Sequence, residues 1–246
     1  MRAATIEISA VLLDIEGTIS STAFVRDVLF GYSRQHLPAF VATHSHERET
    51  ASILEAAAAL SGQDDPLAAL IEWQRRDEKA PPLKAIQGLI WESGYSSGAF
   101  RSPIFADALA ALRRWDAAGL PLFVYSSGSL KAQELFFRHN EAGDLRPLFS
   151  GHFDTGIGAK VEPDSYARIA RSIGALAADI LFLSDDIREL AAARAAGLQV
   201  AQVVREAASP DARFPAISDF STLDFTPLAR AASPESPTRQ ALRSER

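Results

Sequence analysis

The chain contains no cysteine among its 246 residues, which excludes disulfide bonds, thiolate metal sites and a cysteine nucleophile. It also lacks a long basic run, and its net charge is −6, so we expect no nucleic acid partner and no attraction to anionic lipid. No apolar stretch is long enough to cross a bilayer, and the amino terminus lacks the pattern of an export signal. We therefore expect a cytoplasmic protein with no membrane contact.

The residues that are present suffice for a substantial core, because 47% of them are hydrophobic. Over residues 23–98 the pattern is helical, and turn residues at 62–66 and 80–82 divide it into about four helices. No strand pattern interrupts this region. We interpret it as a helical cap inserted after the first strand.

Strands and helices alternate through the rest of the chain. The pattern predicts helices over residues 104–118, 130–140, 163–173 and 187–196, and strands over residues 121–125, 180–183 and 199–204. Such alternation is typical of an α/β fold with a doubly wound, mostly parallel sheet. We assign residues 1–22 and 99–226 to an α/β core, residues 23–98 to the cap and residues 227–246 to a disordered tail rich in Ser, Pro, Ala and Arg.

Two acids, Asp14 and Glu16, follow an apolar strand at residues 10–13. Because side chains alternate along a strand, both acids point the same way at its carboxyl end, the edge where open α/β sheets bind ligands. Burying two acids without a cation costs several kcal/mol, so the pair implies Mg²⁺, a phosphate-bearing ligand, or both. The alternative is that the acids cap the next helix or face solvent.

Two later segments carry groups that suit a phosphate. Ser126 and Ser127 stand with Gly128 between a strand and a helix, where hydroxyls and backbone N–H groups hold phosphate oxygens. Ordinary helix capping by serine is the alternative. Lys160 lies in a glycine-rich loop before the helix at 163–173, where an ammonium can neutralise phosphate, although a lone loop lysine is usually solvated.

A third strand end repeats the opening arrangement. The strand at residues 180–183 leads into Ser184, Asp185 and Asp186, with Glu189 one helical turn further on. Two strand ends can converge on one cation, and Asp14 with Asp185 would supply the few carboxylate oxygens that Mg²⁺ prefers. Capping of the next helix by Asp185 or Asp186 is the alternative, and we expect one of the two to cap it.

The ordered set of acid-x-acid, serine, lysine and acid, each at a strand end or an adjoining loop, resembles the haloacid dehalogenase superfamily of phosphohydrolases. Four segments are similar to motifs of the enolase-phosphatase (acireductone synthase) family of methionine salvage. They are Asp-Ile-Glu-Gly-Thr, Tyr-Ser-Ser-Gly-Ser, Lys-Val-Glu and the run from Lys84 to Trp91. The resemblance covers residues 10–225. Glu16 departs from the superfamily pattern, which has aspartate there, but fits the narrower family.

The resemblance implies that Asp14 is the nucleophile that attacks phosphorus, and that an aspartyl-phosphate forms and is then hydrolysed. Glu16 matches the position that protonates the leaving oxygen and then activates water, and a metal contact there is also plausible. The implied catalytic residues are Asp14, Glu16 and Lys160. The implied phosphate ligands are Ser126, Ser127 and Lys160. The implied Mg²⁺ ligands are Asp14, Glu16 and Asp185.

The implied substrate is a small phosphate ester, 2,3-diketo-5-methylthiopentyl-1-phosphate, which is enolised and then dephosphorylated to an acireductone. In the cap, Lys84 is our candidate for substrate binding, with Gln87, Trp91 and Tyr95 as further candidates. Trp91 falls on an apolar stripe and favours packing. Alternatives are a capped sugar-phosphate or phosphoglycolate phosphatase of the same superfamily and a phospho-acceptor signalling module. We expect a monomer.

Overall fold

The computed structural model describes residues 6–205, 209–223 and 225–227. Its strands are β1 Ile6–Ile8, β2 Ala10–Leu13, β3 Leu122–Tyr125, β4 Gly151–Phe153, β5 Ile180–Ser184, β6 Gln199–Val203, β7 Ala216–Ile217 and β8 Phe225–Pro227. Its α-helices are α1 Phe30–His44, α2 Arg48–Ser61, α3 Pro66–Arg75, α4 Pro81–Ser96, α5 Ala106–Ala117, α6 Leu130–Arg138, α7 Pro163–Ile173 and α8 Ile187–Ala195. None of the described helices is both long enough and apolar enough to cross a membrane.

Six parallel strands form the main sheet, in the spatial order β4-β3-β2-β5-β6-β7. From the central strand β2 the chain adds β3 and β4 on one side, and later β5 to β7 on the other. The order therefore reverses beside β2, which is the position where doubly wound sheets bind ligands at the carboxyl ends of their strands. The predicted doubly wound parallel sheet is confirmed.

The strands β2, β3 and β5 bury both of their faces, because helices cover the middle of the sheet on two sides. Along β2, Val11 and Leu13 pack in the same cluster as residues of α5 and α6, whereas Ala10 and Leu12 pack with residues of α7 and α8. All four side chains are fully buried. Strands buried on both faces are continuous apolar runs, as parallel sheets require.

The helical segment between β2 and α5 has a small core of its own. A π-helix, Phe24–Leu29, runs directly into α1, and four α-helices follow as predicted. Leu37, Leu70 and Ile86 are buried together inside this segment. Helix α4 also contacts α6, the helix that follows β3. The helical segment therefore packs beside the carboxyl end of the sheet, where the acids lie.

Several predicted boundaries were wrong by a few residues. The helix predicted over 104–118 starts at Ala106, because Phe105 is extended and its N–H donates to the Ile19 carbonyl. The helix predicted over 130–140 ends at Arg138, and the Asn140 side chain instead accepts from the Ala142 N–H in a turn.

Four short strands were not predicted at all, namely β1, β4, β7 and β8. They have two or three residues each, too few for an apolar pattern to be read. Strand β8 pairs with β1 through Pro227 and Ile8, so Pro227, which the sequence pattern assigned to the tail, lies in a strand. Residues 228–246 lie outside the described residues.

Candidate active site

Asp14 and Lys160 form a buried ion pair at the carboxyl end of the central strand. The Asp14 N–H donates to the Leu183 carbonyl at 3.0 Å, which holds the backbone beside β5. The Lys160 Nζ lies 2.6 Å from Oδ1 of Asp14 and 2.8 Å from Oε2 of Glu189. The structure therefore brings Asp14 and Lys160 together, as the sequence suggested, and Lys160 is buried and not solvated.

Lys160 lies in the loop between β4 and α7, and two tyrosines outside that loop contact its backbone and its side chain. Its carbonyl accepts a hydrogen bond from the Tyr166 hydroxyl at 2.7 Å, and its Nζ lies 5.8 Å from the centre of the Tyr125 ring. Burial alone would lower the pKa of the ammonium, but the carboxylates of Asp14 and Glu189 outweigh burial and raise it. The ammonium therefore stays charged at neutral pH.

Asp185 follows β5 as Asp14 follows β2, and Gly17 allows the two strand ends to meet. The Asp185 N–H donates to Thr18 Oγ1 at 3.2 Å. Gly17 has a φ of +68°, and a Cβ there would collide with the Asp185 carboxylate. Only glycine gives both this backbone conformation and this close approach.

The capping alternatives are resolved by neighbouring residues. Asp186, and not Asp185, caps α8 by accepting from the Arg188 N–H at 2.8 Å. Likewise the Ser129 side chain caps α6, and Ser126 Oγ accepts from the Gly128 N–H at 3.1 Å within the loop. Asp185 is therefore free of the capping role, as are Ser126 and its neighbour Ser127.

The site holds more acid than its single lysine can neutralise. Burial first, and then the nearby Asp14 carboxylate, raise the pKa of Glu16. The same two causes, in the same order, raise the pKa of Asp185 to about 6 and that of Glu189 to about 7. A buried excess of negative charge of this kind is relieved by a bound cation or by protonation.

Two cavities meet at this edge of the sheet. A small one of about 210 Å³ is lined by the charged groups Asp14, Glu16, Lys160, Asp185 and Glu189. A larger one of about 530 Å³ lies between the helical segment and the loop after β3. Glu16 and Ser127 line both cavities, so a ligand can place one end among the charges and the other under the helices.

Helix α4 contributes three of the four predicted cap residues to the larger cavity. Lys84, Gln87 and Trp91 line it, and the Lys84 Nζ donates to the Ser127 carbonyl at 3.2 Å. Tyr95 does not line either cavity, so its candidacy was wrong. Its hydroxyl lies 2.6 Å from Ser102 Oγ and its ring stacks on His139, away from the site.

Glu189 is the site residue to which the sequence assigned no role. Besides its ion pair with Lys160, its Oε2 accepts a hydrogen bond from Ser184 Oγ at 3.0 Å. The sequence does show that Glu189 follows Asp185 by about one helical turn. This spacing places the two acids near each other at the amino-terminal end of α8. The distant Lys160, which the acid contacts, could not be paired with it from the sequence.

The donor set suits a small hard cation that keeps water. Among the described residues no three His, Asp or Glu side chains are grouped so that they could hold a metal by themselves. Mg²⁺ commonly takes one or two carboxylates and fills the remaining positions with water and substrate phosphate. Asp14 and Asp185, in a cavity with excess negative charge, fit that demand.

Known proteins share this architecture. A family model described as haloacid dehalogenase-like hydrolase matches residues 8–197, which include the acids, the serine loop and the lysine. Solved structures of CbbY from Rhodobacter sphaeroides share the fold, with a TM-score of 0.58 at 19% identity over 88% of this chain and 96% of that one.

More similar relatives narrow the class. The chain is 56% identical to enolase-phosphatase E1 of a Bradyrhizobium species over 91% of this chain and 97% of the relative. It is 50% identical to the protein of that name from Azotobacter vinelandii, over 88% and 97%. The UTR4 protein of Saccharomyces cerevisiae has a TM-score of 0.76 at 35% identity, over 88% of this chain and all of that one. The chain therefore belongs to the haloacid dehalogenase-like hydrolases, in the branch formed by the enolase-phosphatase E1 proteins.

Proposed function

We propose that the chain is a Mg²⁺-dependent enolase-phosphatase that converts 2,3-diketo-5-methylthiopentyl-1-phosphate to an acireductone and phosphate. The observation that carries this proposal is the junction of the two cavities at Glu16 and Ser127. A phosphate can lie among the charged groups while the rest of a small ester extends under α4. The names of the relatives support the choice of reaction.

In this mechanism Asp14 attacks phosphorus through a carboxylate oxygen and forms an aspartyl-phosphate, which water then hydrolyses. The Lys160 ammonium, 2.6 Å from Asp14 Oδ1, neutralises charge as the two anions approach each other. Glu16 protonates the leaving ester oxygen and then takes a proton from the attacking water. A carboxyl with a raised pKa suits that exchange.

Phosphate binding falls to the loop after β3 and to Lys160. Ser126 is buried and Ser127 lines both cavities, so hydroxyl and backbone N–H donors are available at the junction. We assign Mg²⁺ to Asp14 and Asp185, with Glu16 contributing an oxygen from the same loop. Bound there, Mg²⁺ would supply charge neutralisation for the phosphoryl oxygens.

We divide the chain as the sequence suggested, with a core at 1–22 and 99–226 and a cap at 23–98. The separate apolar cluster of the helices supports this division. The cap excludes water from the reacting phosphate and selects the organic part of the substrate through Lys84 and its neighbours on α4. The cytoplasmic location and the monomeric state stay predictions.

The test is an assay of the full chain with the diketo phosphate, with Mg²⁺ and with excess chelator. We expect ultraviolet absorbance of the enediol and release of inorganic phosphate, both dependent on Mg²⁺. Asp14→Asn should release no phosphate while still unfolding in one cooperative thermal transition. Turnover of sugar phosphates or phosphoglycolate without turnover of the diketo phosphate would refute the proposal, and full activity of Asp14→Asn would refute the nucleophile.

A further inference from the structure

Gln87 is a buried amide that faces the larger cavity. Its exposed fraction is 4%, and it lies on α4 three residues after Lys84 and four before Trp91. Residues three and four apart share one face of a helix. These three side chains therefore form a row along the cavity wall.

Nothing in the described part of the chain satisfies the Gln87 side chain by a hydrogen bond. The other two glutamines that line the same cavity are engaged. Gln74 Oε1 accepts from Ser33 Oγ at 3.3 Å, and Gln133 Nε2 donates to the carbonyls of Gly128 and Phe153, each at 2.9 Å. The Gln87 amide atoms are not among the fully buried side-chain atoms of the described residues that lack a partner, so they open into the cavity, where water or a ligand can bind them.

The two neighbours of Gln87 on α4 define what each end of the row can bind. Lys84 touches the loop that follows β3 through Ser127, so the ammonium lies toward the phosphate end. Trp91 has committed its only donor, since Nε1 donates to the Leu29 carbonyl at 2.8 Å. Its ring and the neighbouring Phe136 therefore offer an apolar surface.

The row thus presents an ammonium, an amide and an apolar ring in order. With a rise of about 1.5 Å per residue, the amide lies roughly 4.5 Å along the helix from the ammonium and roughly 6 Å from the ring. A ligand that matches this order carries a phosphate, then carbonyl oxygens, then an apolar or thioether tail. Thioether sulfur makes favourable contacts with aromatic rings.

We propose that Gln87 determines substrate specificity by donating its amide N–H to a carbonyl oxygen of the bound phosphate ester. This inference rests on the proposed function, because it concerns the organic part of the same substrate. Gln87 selects an ester that carries a carbonyl within two or three bonds of the phosphate. Inorganic phosphate, which lacks that oxygen, binds without Gln87.

The test uses Gln87→Met, which keeps the length of the side chain and removes the amide. Gln35→Met is the matched control, since Gln35 is exposed on α1 and lines neither cavity. With Mg²⁺ present, kcat/KM is measured for the diketo phosphate, the affinity for inorganic phosphate by calorimetry, and stability by thermal melting.

We expect kcat/KM of Gln87→Met to fall about tenfold to hundredfold, the size of one lost hydrogen bond to a buried group. Its phosphate affinity should stay within about twofold of wild type, and its melting temperature should be unchanged, because the amide makes no hydrogen bond to the described part of the chain. Gln35→Met should match wild type in all three measurements.

Two outcomes would overturn the inference. One is a Gln87→Met enzyme with wild-type kcat/KM, and the other is a loss of phosphate affinity or melting temperature that parallels the loss of activity. Both differ from failure of the proposed function, in which the wild-type enzyme itself does not turn over the diketo phosphate. In that case the affinity of each variant for a panel of keto and non-keto phosphate esters still tests Gln87, and an equal loss for both kinds of ester would refute it.

Discussion

Replacing Lys160 with methionine removes the one cation that the described part of the chain places in the small cavity. The side chain of Lys160 is 9% exposed, and those of its partners Asp14 and Glu189 are 8% and 11% exposed. Removing one partner of a buried ion pair leaves an uncompensated charge and costs about 3–5 kcal/mol in the free energy of unfolding. At about 2–4 °C per kcal/mol for a chain of this size, the melting temperature should fall by roughly 10 °C.

The chain offers a matched control in Lys131→Met. The Lys131 Nζ lies 2.6 Å from Glu92 Oε2, the same separation as in the buried Lys160–Asp14 pair, but its side chain is 42% exposed and that of Glu92 is 47% exposed. An exposed pair contributes about 0–1 kcal/mol. The two substitutions are chemically identical, so the difference between them measures the effect of burial.

The loss caused by Lys160→Met should also depend on pH. The pKa of Glu189 is raised to about 7 and that of Asp185 to about 6. An acid whose pKa is raised by folding destabilises the folded state above that pKa and ceases to do so as it takes up a proton below it. We therefore expect a larger loss at pH 8 than at pH 5.5 in chemical denaturation without metal. A loss equal to that of Lys131→Met, or one that grows on acidification, would refute the reasoning.

Two further predictions concern backbone strain and a buried imidazole. Gly17 and Gly62 share a φ of +68°, but only at Gly17 would a Cβ meet the Asp185 carboxylate. Alanine at Gly62 should cost about 1–2 kcal/mol of stability and alanine at Gly17 at least as much, whereas only Gly17→Ala should weaken Mg²⁺ binding in calorimetry, and equal Mg²⁺ affinities would contradict this. Burial lowers the pKa of His152 below its usual 6.5, so its neutral ring stabilises the fold above pH 6.5 and that contribution is lost as pH falls. His152→Gln should therefore lose less stability than wild type between pH 7.5 and 5.5 in urea denaturation, and an equal loss would contradict the prediction.

Much of the fold could be predicted because its signals are local. The strands β2, β3 and β5 contain apolar runs of four residues, β6 is apolar at three of its five positions, and the 3.6-residue period shows the helices. Four strands, β1, β4, β7 and β8, were not predicted. Two or three residues are too few to show a periodic pattern, and their pairing partners are distant in sequence. The π-helix at Phe24–Leu29 was not predicted either, because its apolar pattern is that of an ordinary α-helix.

The positions of the acids could also be predicted. Asp14 and Asp185 each follow a strand, and parallel strands end at one edge of a sheet. Local sequence patterns were therefore enough to predict which residue types converge, and their charge led us to expect a cation. They left open which of Asp185 and Asp186 caps α8, because either residue has the side chain for that role.

Contacts between distant segments became visible only in the folded chain. The fold paired Lys160 with Glu189, brought Asp185 against Gly17, and turned the Gln87 side chain toward the cavity. These contacts depend on how helices and loops pack. Packing energy is the sum of many small contacts, and a short sequence motif does not contain enough information to predict it. Local sequence patterns show which groups are available for chemistry. The charge states and partners of these groups depend on their burial, which arises only when the chain is folded.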